Sequence, residues 1–406
     1  MTIDRVDLRP QISLTDAASK LSYHPDLVRD RLDGKPTVPV SMEVDLSYVC
    51  GDKCDYCHFA YTHVRGMKDE DGNWDPKKIM TPEIAKIVFS KMASAGVKSV
   101  VFSGGGEPLD SPCALEVFKI AKESGLELGM YTRGYGLRND IADFVANNFE
   151  WVVVSLDVTN PEDHRLVKGT NSSVFERKVD NIKNFAQRPD RKANISVSLM
   201  VDPRHLESVE PYQEQREFFG SESVTKLERD IIWMLSIGVD QVMTRPIVDT
   251  GTYEEQRETH HMLGMAFKTD EEHWREHYAW IPQVVTILEK YKDFPGFNAS
   301  IDKFADLYGG QSGYEICDAM FISAGLIRTD GTVDKCVNTR EITPIGDLKT
   351  QTLKEIYFNP KLDCEVNGKC RAGCRGVKVN AFMKNLRDGS QSLPEPNPQV
   401  KHINHI

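Results

Sequence analysis

Residues 38–58 read VPVSMEVDL (38–46), SYV (47–49) and then Cys50-Gly51-Asp52-Lys53-Cys54-Asp55-Tyr56-Cys57-His58. An apolar run rich in valine reads as a buried strand, and three cysteines crowd the loop that leaves it. In parallel α/β folds the loops at the C-terminal ends of the strands carry the active site. Disulfides are rare in a reducing compartment, so clustered thiols there point to metal or catalysis. Three thiolates in one short loop can hold three corners of a cubane iron–sulfur cluster; such a cluster normally takes four cysteines, so one iron stays open to another ligand. Other readings use the same residues. Cys54 to His58 has the spacing of c-type haem attachment, which needs export. A zinc site would need His58 or a distant cysteine as its fourth ligand. A thioredoxin-like pair would leave Cys50 unexplained.

Outward from this stretch the alternation of apolar runs and amphipathic segments repeats. Strands are expected at 38–46, 98–103, 127–132, 151–156, 194–201 and 239–245, and helices at 82–95, 112–124, 139–148, 173–187, 224–237 and 273–292. Thr81 and Pro82 suit the N-cap and first position of the first of these helices. Strand–helix repeats with right-handed crossovers build a parallel sheet, and six units fall short of the eight that close a barrel. The expected fold class is therefore α/β, a partial (βα)6 TIM-type barrel over residues 38–300 behind an N-terminal extension at 1–37. Past residue 310 the alternation fades and cysteines and turn residues take over. A small C-terminal iron–sulfur domain is expected at 310–387, and the Pro-, Ser- and Asn-rich stretch 388–406 reads as a mobile tail, with a substrate clamp as the alternative.

The later strand ends carry polar groups at the same edge. They are Ser103-Gly104-Gly105-Gly106-Glu107-Pro108, Thr132-Arg133-Gly134, Ser155-Leu156-Asp157, Ser198 and Thr244-Arg245-Pro246. The spacing of Cys50, Cys54 and Cys57, with Tyr56 before the last, together with the glycine run ending in Glu107, resembles the signature motifs of the radical S-adenosylmethionine (SAM) superfamily. The resemblance implies that Cys50, Cys54 and Cys57 ligate a [4Fe–4S] cluster and that SAM chelates its open iron. It implies that Tyr56 contacts the adenine and that Gly104, Gly105, Gly106 and Glu107 bind the SAM amino group. Ser155 and Asp157 match positions that bind SAM ribose or carboxylate, and Ser198 falls with them. Lys168 stands where many relatives place an arginine that contacts SAM, a departure in this chain. Arg133 and Arg245 are open to holding an anionic substrate group through bidentate hydrogen bonds.

Five further cysteines, Cys317, Cys336, Cys364, Cys370 and Cys374, lie toward the C-terminal end, and Asp330-Gly331 forms a turn and strand leading into Cys336. This layout resembles the SPASM/twitch extension of radical SAM enzymes, which carries auxiliary iron–sulfur clusters. The full SPASM pattern has a cysteine where Lys361 stands and another after Cys374, where this chain has none. One auxiliary [4Fe–4S] cluster fits better than two. Its ligands would be Cys317, Cys336, Cys374 and either Cys364 or Cys370, and a structural zinc is the alternative occupant.

Composition narrows the partners. The 61 acidic against 50 basic residues, a net charge of −11, argue against nucleic acid. No apolar run approaches the roughly 20 residues of a membrane helix, and the first residues lack the apolar core of a signal peptide, so a cytoplasmic location is expected. The resemblance implies reductive cleavage of SAM to a 5′-deoxyadenosyl radical that takes hydrogen from a substrate, fed by a reductase with flavodoxin or by ferredoxin. Residues 1–40 are too short for a complete peptide-recognition domain. That favours a small polar substrate of amino sugar, cyclitol or nucleoside type in natural-product biosynthesis, and net oxidation or epimerisation. A peptide maturase and a non-catalytic zinc or iron–sulfur protein are the alternatives.

Overall fold

The computed structural model describes residues 17–64, 66–248, 275–309, 314–362, 374 and 376–406. Cys364, Cys370 and the first two residues of the helix expected at 273–292 lie outside the described residues. The strands are β1 (Ser41–Asp45), β2 (Ser99–Ser103), β3 (Glu127–Thr132), β4 (Trp151–Val154), β5 (Asn194–Val201), β6 (Ser208–Val209), β7 (Val224–Thr225), β8 (Gln241–Pro246), β9 (Phe297–Asn298), β10 (Gly325–Ile327), β11 (Thr332–Asp334) and β12 (Pro344–Asp347). β6 and β7 form a small antiparallel ribbon, and the other ten share one sheet in the order β12-β11-β10-β1-β2-β3-β4-β5-β8-β9. From β1 to β8 every neighbouring pair is parallel, as strand–helix alternation requires. The result is an open partial barrel edged by β9 and β12.

Two parallel strands add to the six expected from sequence. β9 pairs with β8, and β10 pairs with the free side of β1. Each spans only two or three residues, too few to carry a period. Through β10 the C-terminal region continues the barrel sheet instead of forming a sheet of its own. β10 then turns at Asp330-Gly331, with Gly331 at φ +88°, into the antiparallel β11.

Helices Pro82–Ala95, Ala114–Glu123 and Asn139–Asn148 cover the outer face. Phe102 of β2 is the hub of that layer, its ring centroid 4.7 Å from Phe118, 6.0 Å from Phe89 and 6.1 Å from Phe149. The inner face packs a smaller set, Val101, Tyr131, Trp151, Val153 and Met243. Helix Pro25–Leu32 joins helix Val377–Arg387 through Val28, Ile322, Phe382 and Met383, so the N-terminal extension and the C-terminal region share one apolar cluster.

The stretch expected as a mobile tail ends in a docked plug. Ser99 donates to the Asn404 carbonyl at 2.7 Å, Asn404 donates to Glu127 at 2.6 Å, and buried His405 meets Trp151 edge-on at 5.4 Å. Ser99 and Glu127 open β2 and β3, so the plug sits at the base of the barrel, away from the cysteine loop. Its polar composition hid this, because single side-chain anchors leave no periodic trace. Among the described residues no helix is long and apolar enough to cross a membrane.

Replacing Phe102 by Ala is expected to cost about 3–5 kcal/mol, the range for deleting a buried aromatic ring. Urea unfolding of the metal-free chain measures it, and a loss below about 1 kcal/mol would show that the layer repacks around the gap.

Candidate active site

The cysteine loop is stapled to its neighbours mostly by groups outside it. The Gly51 amide donates to Asp110 at 3.0 Å, the Lys53 amide to the Lys168 carbonyl at 2.8 Å, and the Cys57 amide to the Cys54 carbonyl at 3.0 Å. Buried Asp52 is the anchor, accepting from Arg133 at 2.8 Å and from Lys178 at 2.6 Å. Burial alone would raise its pKa, but Lys178, Lys168 and Arg133 outweigh that and hold the carboxyl below the usual range. A Cβ on Gly51 would stand 2.6 Å from the Arg133 guanidinium, which would have to shift to admit it. Burial pushes all three thiols up, Cys54 to about 12. A ligating metal reverses that preference, because the thiolate is the form it binds. Among the described residues no three Cys, His, Asp or Glu side chains converge as on a single ion. Corner ligands of a cubane have no such need, since each thiolate binds a different iron. The donor set of the loop therefore fits a cluster of that kind.

The glycine loop closes over the start of the cysteine loop. The Glu107 amide donates to the Val49 carbonyl at 2.8 Å, and a Cβ on Gly106 would fall 2.6 Å from that same oxygen. Close approach, not left-handed backbone, is what excludes side chains here. Gly105 lies between Asp45, which accepts from its amide at 3.2 Å, and Thr62, which donates to its carbonyl at 2.7 Å. The buried Glu107 carboxylate accepts from Thr132, from the Leu109 amide at 3.1 Å and from the Arg133 amide at 2.7 Å. Burial and the Asp110 charge nevertheless push it up to about 7, against the pull of Arg133.

Asp157 organises the opposite wall. Its backbone is left-handed, φ +66°, a conformation non-glycine residues seldom adopt. Its carboxylate accepts from Tyr56 at 2.7 Å, from Ser198 at 2.6 Å and from the Lys168 ammonium. Lys168 also lies 5.2 Å from the Tyr56 ring centroid. Burial would lower its pKa, but Asp157, Cys54 and Asp52 hold it above the ordinary lysine value. Tyr56, Asp157, Lys168 and Ser198 thus form one network, and the Ser155 amide ties β4 to β3 through the Thr132 carbonyl at 2.8 Å. Tyr56 and Asp157 open onto a cavity of about 840 Å³ walled by Asn160, Asp163, Met200, Asp202, Arg204 and Arg229.

Arg133, expected to be open to an anionic substrate group, is already engaged by carboxylates. Its guanidinium pairs with Asp52 and with Asp110, at 3.1 Å, so it braces the cysteine loop. Arg245 lies apart from this group, against Tyr131.

The second cysteine group is drawn together by two asparagines. The Asn338 amide donates to Cys336 at 3.4 Å while its side chain donates to Cys374 at 3.4 Å, and Asn380 donates to Cys317 at 3.6 Å. Such N–H donors favour thiolates and set the potential of a bound cluster. Sequence reading missed the link between the two cysteine regions. Arg340, just past Cys336 and fully buried, grips Asp45 of β1 at 2.6 and 2.9 Å, lies 4.0 Å above the Phe59 ring, and accepts from Tyr61 through its carbonyl at 3.0 Å. Its signal was faint, an arginine four places after a candidate ligand with an aspartate at a strand end.

Residues 44–209 match the family model described as the Radical SAM superfamily. That stretch is a radical SAM domain, and the radical SAM family uses a [4Fe–4S] cluster and SAM. It is 28% identical over 156 residues to the AdoMet-dependent heme synthase of Methanosarcina barkeri, covering 38% of this chain and 42% of that one. It is 28% identical over 135 residues to the GTP 3′,8-cyclase of Streptomyces coelicolor, covering 32% and 37%. The match thus spans about two fifths of the length of these curated relatives. The solved structure of Streptococcus suis SuiB bound to S-adenosylmethionine superposes with a TM-score of 0.53 at 13% identity, covering 92% of this chain and 80% of that one, a likeness of fold.

Asp52→Ala leaves buried Lys178 and Arg133 without their shared counter-charge. It should destabilise the metal-free chain by about 3–5 kcal/mol, the cost of breaking a buried pair, measured by urea unfolding; an unchanged midpoint would show that water or another carboxylate takes over.

Proposed function

We propose that this chain cleaves SAM reductively and uses the resulting radical to take a hydrogen atom from a small polar substrate. One observation carries the reading: the loop of Cys50, Cys54 and Cys57 is gripped between the Glu107 loop and the network of Tyr56, Asp157, Lys168 and Ser198, all at one edge of the barrel. Cys50, Cys54 and Cys57 would hold three irons. A cluster held there would supply the one-electron chemistry that cleaves SAM reductively to methionine and a 5′-deoxyadenosyl radical. The residues do the rest. Glu107 receives the SAM ammonium among its existing donors, with Gly104, Gly105 and Gly106 bringing backbone close. Asp157, Ser198 and Ser155 face the ribose or carboxylate, and Tyr56 faces the adenine with Lys168 holding its ring in place. The adjoining cavity, large enough for a metabolite and lined by both acids and bases, orients the substrate and excludes bulk water.

Cys317, Cys336, Cys374 and one of Cys364 or Cys370 would hold an auxiliary cluster, an acceptor for the second electron of a net oxidation. An external donor, flavodoxin or ferredoxin in the cytoplasm, would reduce the first cluster. Anaerobic reconstitution should then give about eight irons per chain for two [4Fe–4S] clusters; about four irons with bound zinc would contradict the auxiliary cluster. With SAM and dithionite the reconstituted chain should form 5′-deoxyadenosine, and Cys50→Ala, Cys54→Ala and Cys57→Ala should each abolish it. Adding a metabolite extract should raise product if the substrate is small, whereas a rise only with a peptide fraction would turn the reading to peptide modification.

Glu107 gives a pH test. An ammonium binds the ionised carboxylate, and the pKa sits near 7. SAM affinity should therefore rise about tenfold from pH 6 to pH 8, the growth of the ionised fraction across that pKa, and Glu107→Gln should bind weakly with no such slope. Without SAM the sign reverses. A carboxyl raised above its unfolded value near 4.3 stabilises the fold fully at pH below that value, and the contribution is lost as pH climbs through 7. Equal SAM affinity at both pH values would remove Glu107 from the ammonium site.

A further inference from the structure

The inner wall of the barrel carries positive charge that no described carboxylate pairs. Along β8 the residues alternate. Val242 belongs to the outer core, Met243 packs inward with Val101 and Trp151, and Arg245 lies one inward position nearer the mouth. Its guanidinium lies 5.1 Å from the Tyr131 ring centroid and donates to the Tyr131 hydroxyl at 3.2 Å, while its buried Nε has no hydrogen-bond partner.

Beside it stands Lys303. β9 pairs with β8 through Met243 and Asn298, and helix Ile301–Gly309 starts directly after, which brings its first turn alongside Arg245. Burial, then the charges of Arg245 and Lys378, hold the Lys303 ammonium well below the ordinary lysine pKa, and only Asp306 opposes them. Lys378 has its own partner, Asp302, at 2.7 Å. Among the described residues neither Arg245 nor Lys303 has an ion pair. A lysine in the first turn of a helix also sits at the positive end of the helix dipole, the wrong end for a cation. Arg245 and Lys303 thus lie close together at the start of one helix, with Asp306 the charge that opposes them and no ion pair closing on either among the described residues, so an arriving anion would be stabilised there.

We propose that Arg245 and Lys303, with the first turn of helix Ile301–Gly309, bind an oxyanion of the substrate, a carboxylate or a phosphate. The guanidinium fork suits either group. This rests on the radical SAM reading for the word substrate and refines its class: a small polar molecule that carries a negative group, pinned at the inner wall with its remainder free to meet the SAM site.

The probes are inorganic phosphate and succinate, titrated into the full chain while its thermal midpoint is followed against sodium chloride at equal ionic strength. At least one probe should stabilise saturably, as a ligand bound to the folded state must. R245Q and K303M should each weaken that binding by about tenfold or more, as expected for losing a charged hydrogen-bond partner, while R245K and K303R retain most of it. Saturation by phosphate alone assigns a phosphorylated substrate, and by succinate alone an acid. Equal stabilisation of the native chain, R245Q and K303M overturns the proposal, as does no saturable effect of either probe. If R245Q fails to fold, K303M and K303R still decide, since Lys303 lies outside the β8 ladder. If the native chain binds the anion yet never cleaves SAM, the radical reading falls and the subsite stands; cleavage without anion binding removes the subsite alone.

Discussion

Asp45 is the constraint on which the rest of the site depends. It ends β1, is buried completely, and takes both ends of the Arg340 guanidinium as well as the Gly105 amide. One carboxylate therefore ties the strand that launches the cysteine loop to the glycine loop and to the C-terminal segment after Cys336. Burial pushes Asp45 up even against the charge of Arg340, so the pair survives through its geometry: two charge-assisted hydrogen bonds and a third from backbone. Removing either partner would strand a charge in the interior and uncouple the two cysteine regions together.

A second carboxylate repeats the device one layer out. Asp52 sits between Cys50 and Cys54 and is clamped by Lys178 and Arg133. A loop built of cysteines, a glycine and charged residues has little apolar surface to pack, and buried charge pins it here. The cations that do this also place positive potential next to the cysteines, where a reduced cluster would carry extra negative charge. Arg133 is one of these cations, paired with Asp52 and Asp110, whereas Arg245 and Lys303 have no ion pair among the described residues.

Much of this was legible in the chain. The valine-rich runs before each polar loop, 98–103 before Gly104 or 151–156 before Asp157, announced parallel strands because strands buried on both faces leave continuous apolar stretches. The cysteine spacing and the Glu107 run marked out two loops that the fold brings together, since residue types at fixed offsets are readable in sequence. What stayed hidden was of another kind. β9 and β10 are too short for any period. The docking of Asn404 and His405 rests on isolated contacts with residues about 250 to 300 positions away in sequence. The pairs Asp45–Arg340 and Asp52–Lys178 join residues far apart in the chain, and a lone charged residue looks the same in sequence whether it meets water or a buried partner. Arg133 shows the cost of that ambiguity, since its strand-end position suited a ligand as well as it suited a brace.

The most direct test of the central claim is electron paramagnetic resonance of the reconstituted, dithionite-reduced chain with and without SAM. Three cysteine ligands and one open iron require that SAM bind the cluster itself, so its addition should reshape the signal of the reduced cluster in the native chain and in Cys336→Ala, and should do nothing in Cys54→Ala. A native signal that SAM leaves unchanged would mean that the cluster has no open iron facing the Glu107 loop, and the account of this site would be wrong.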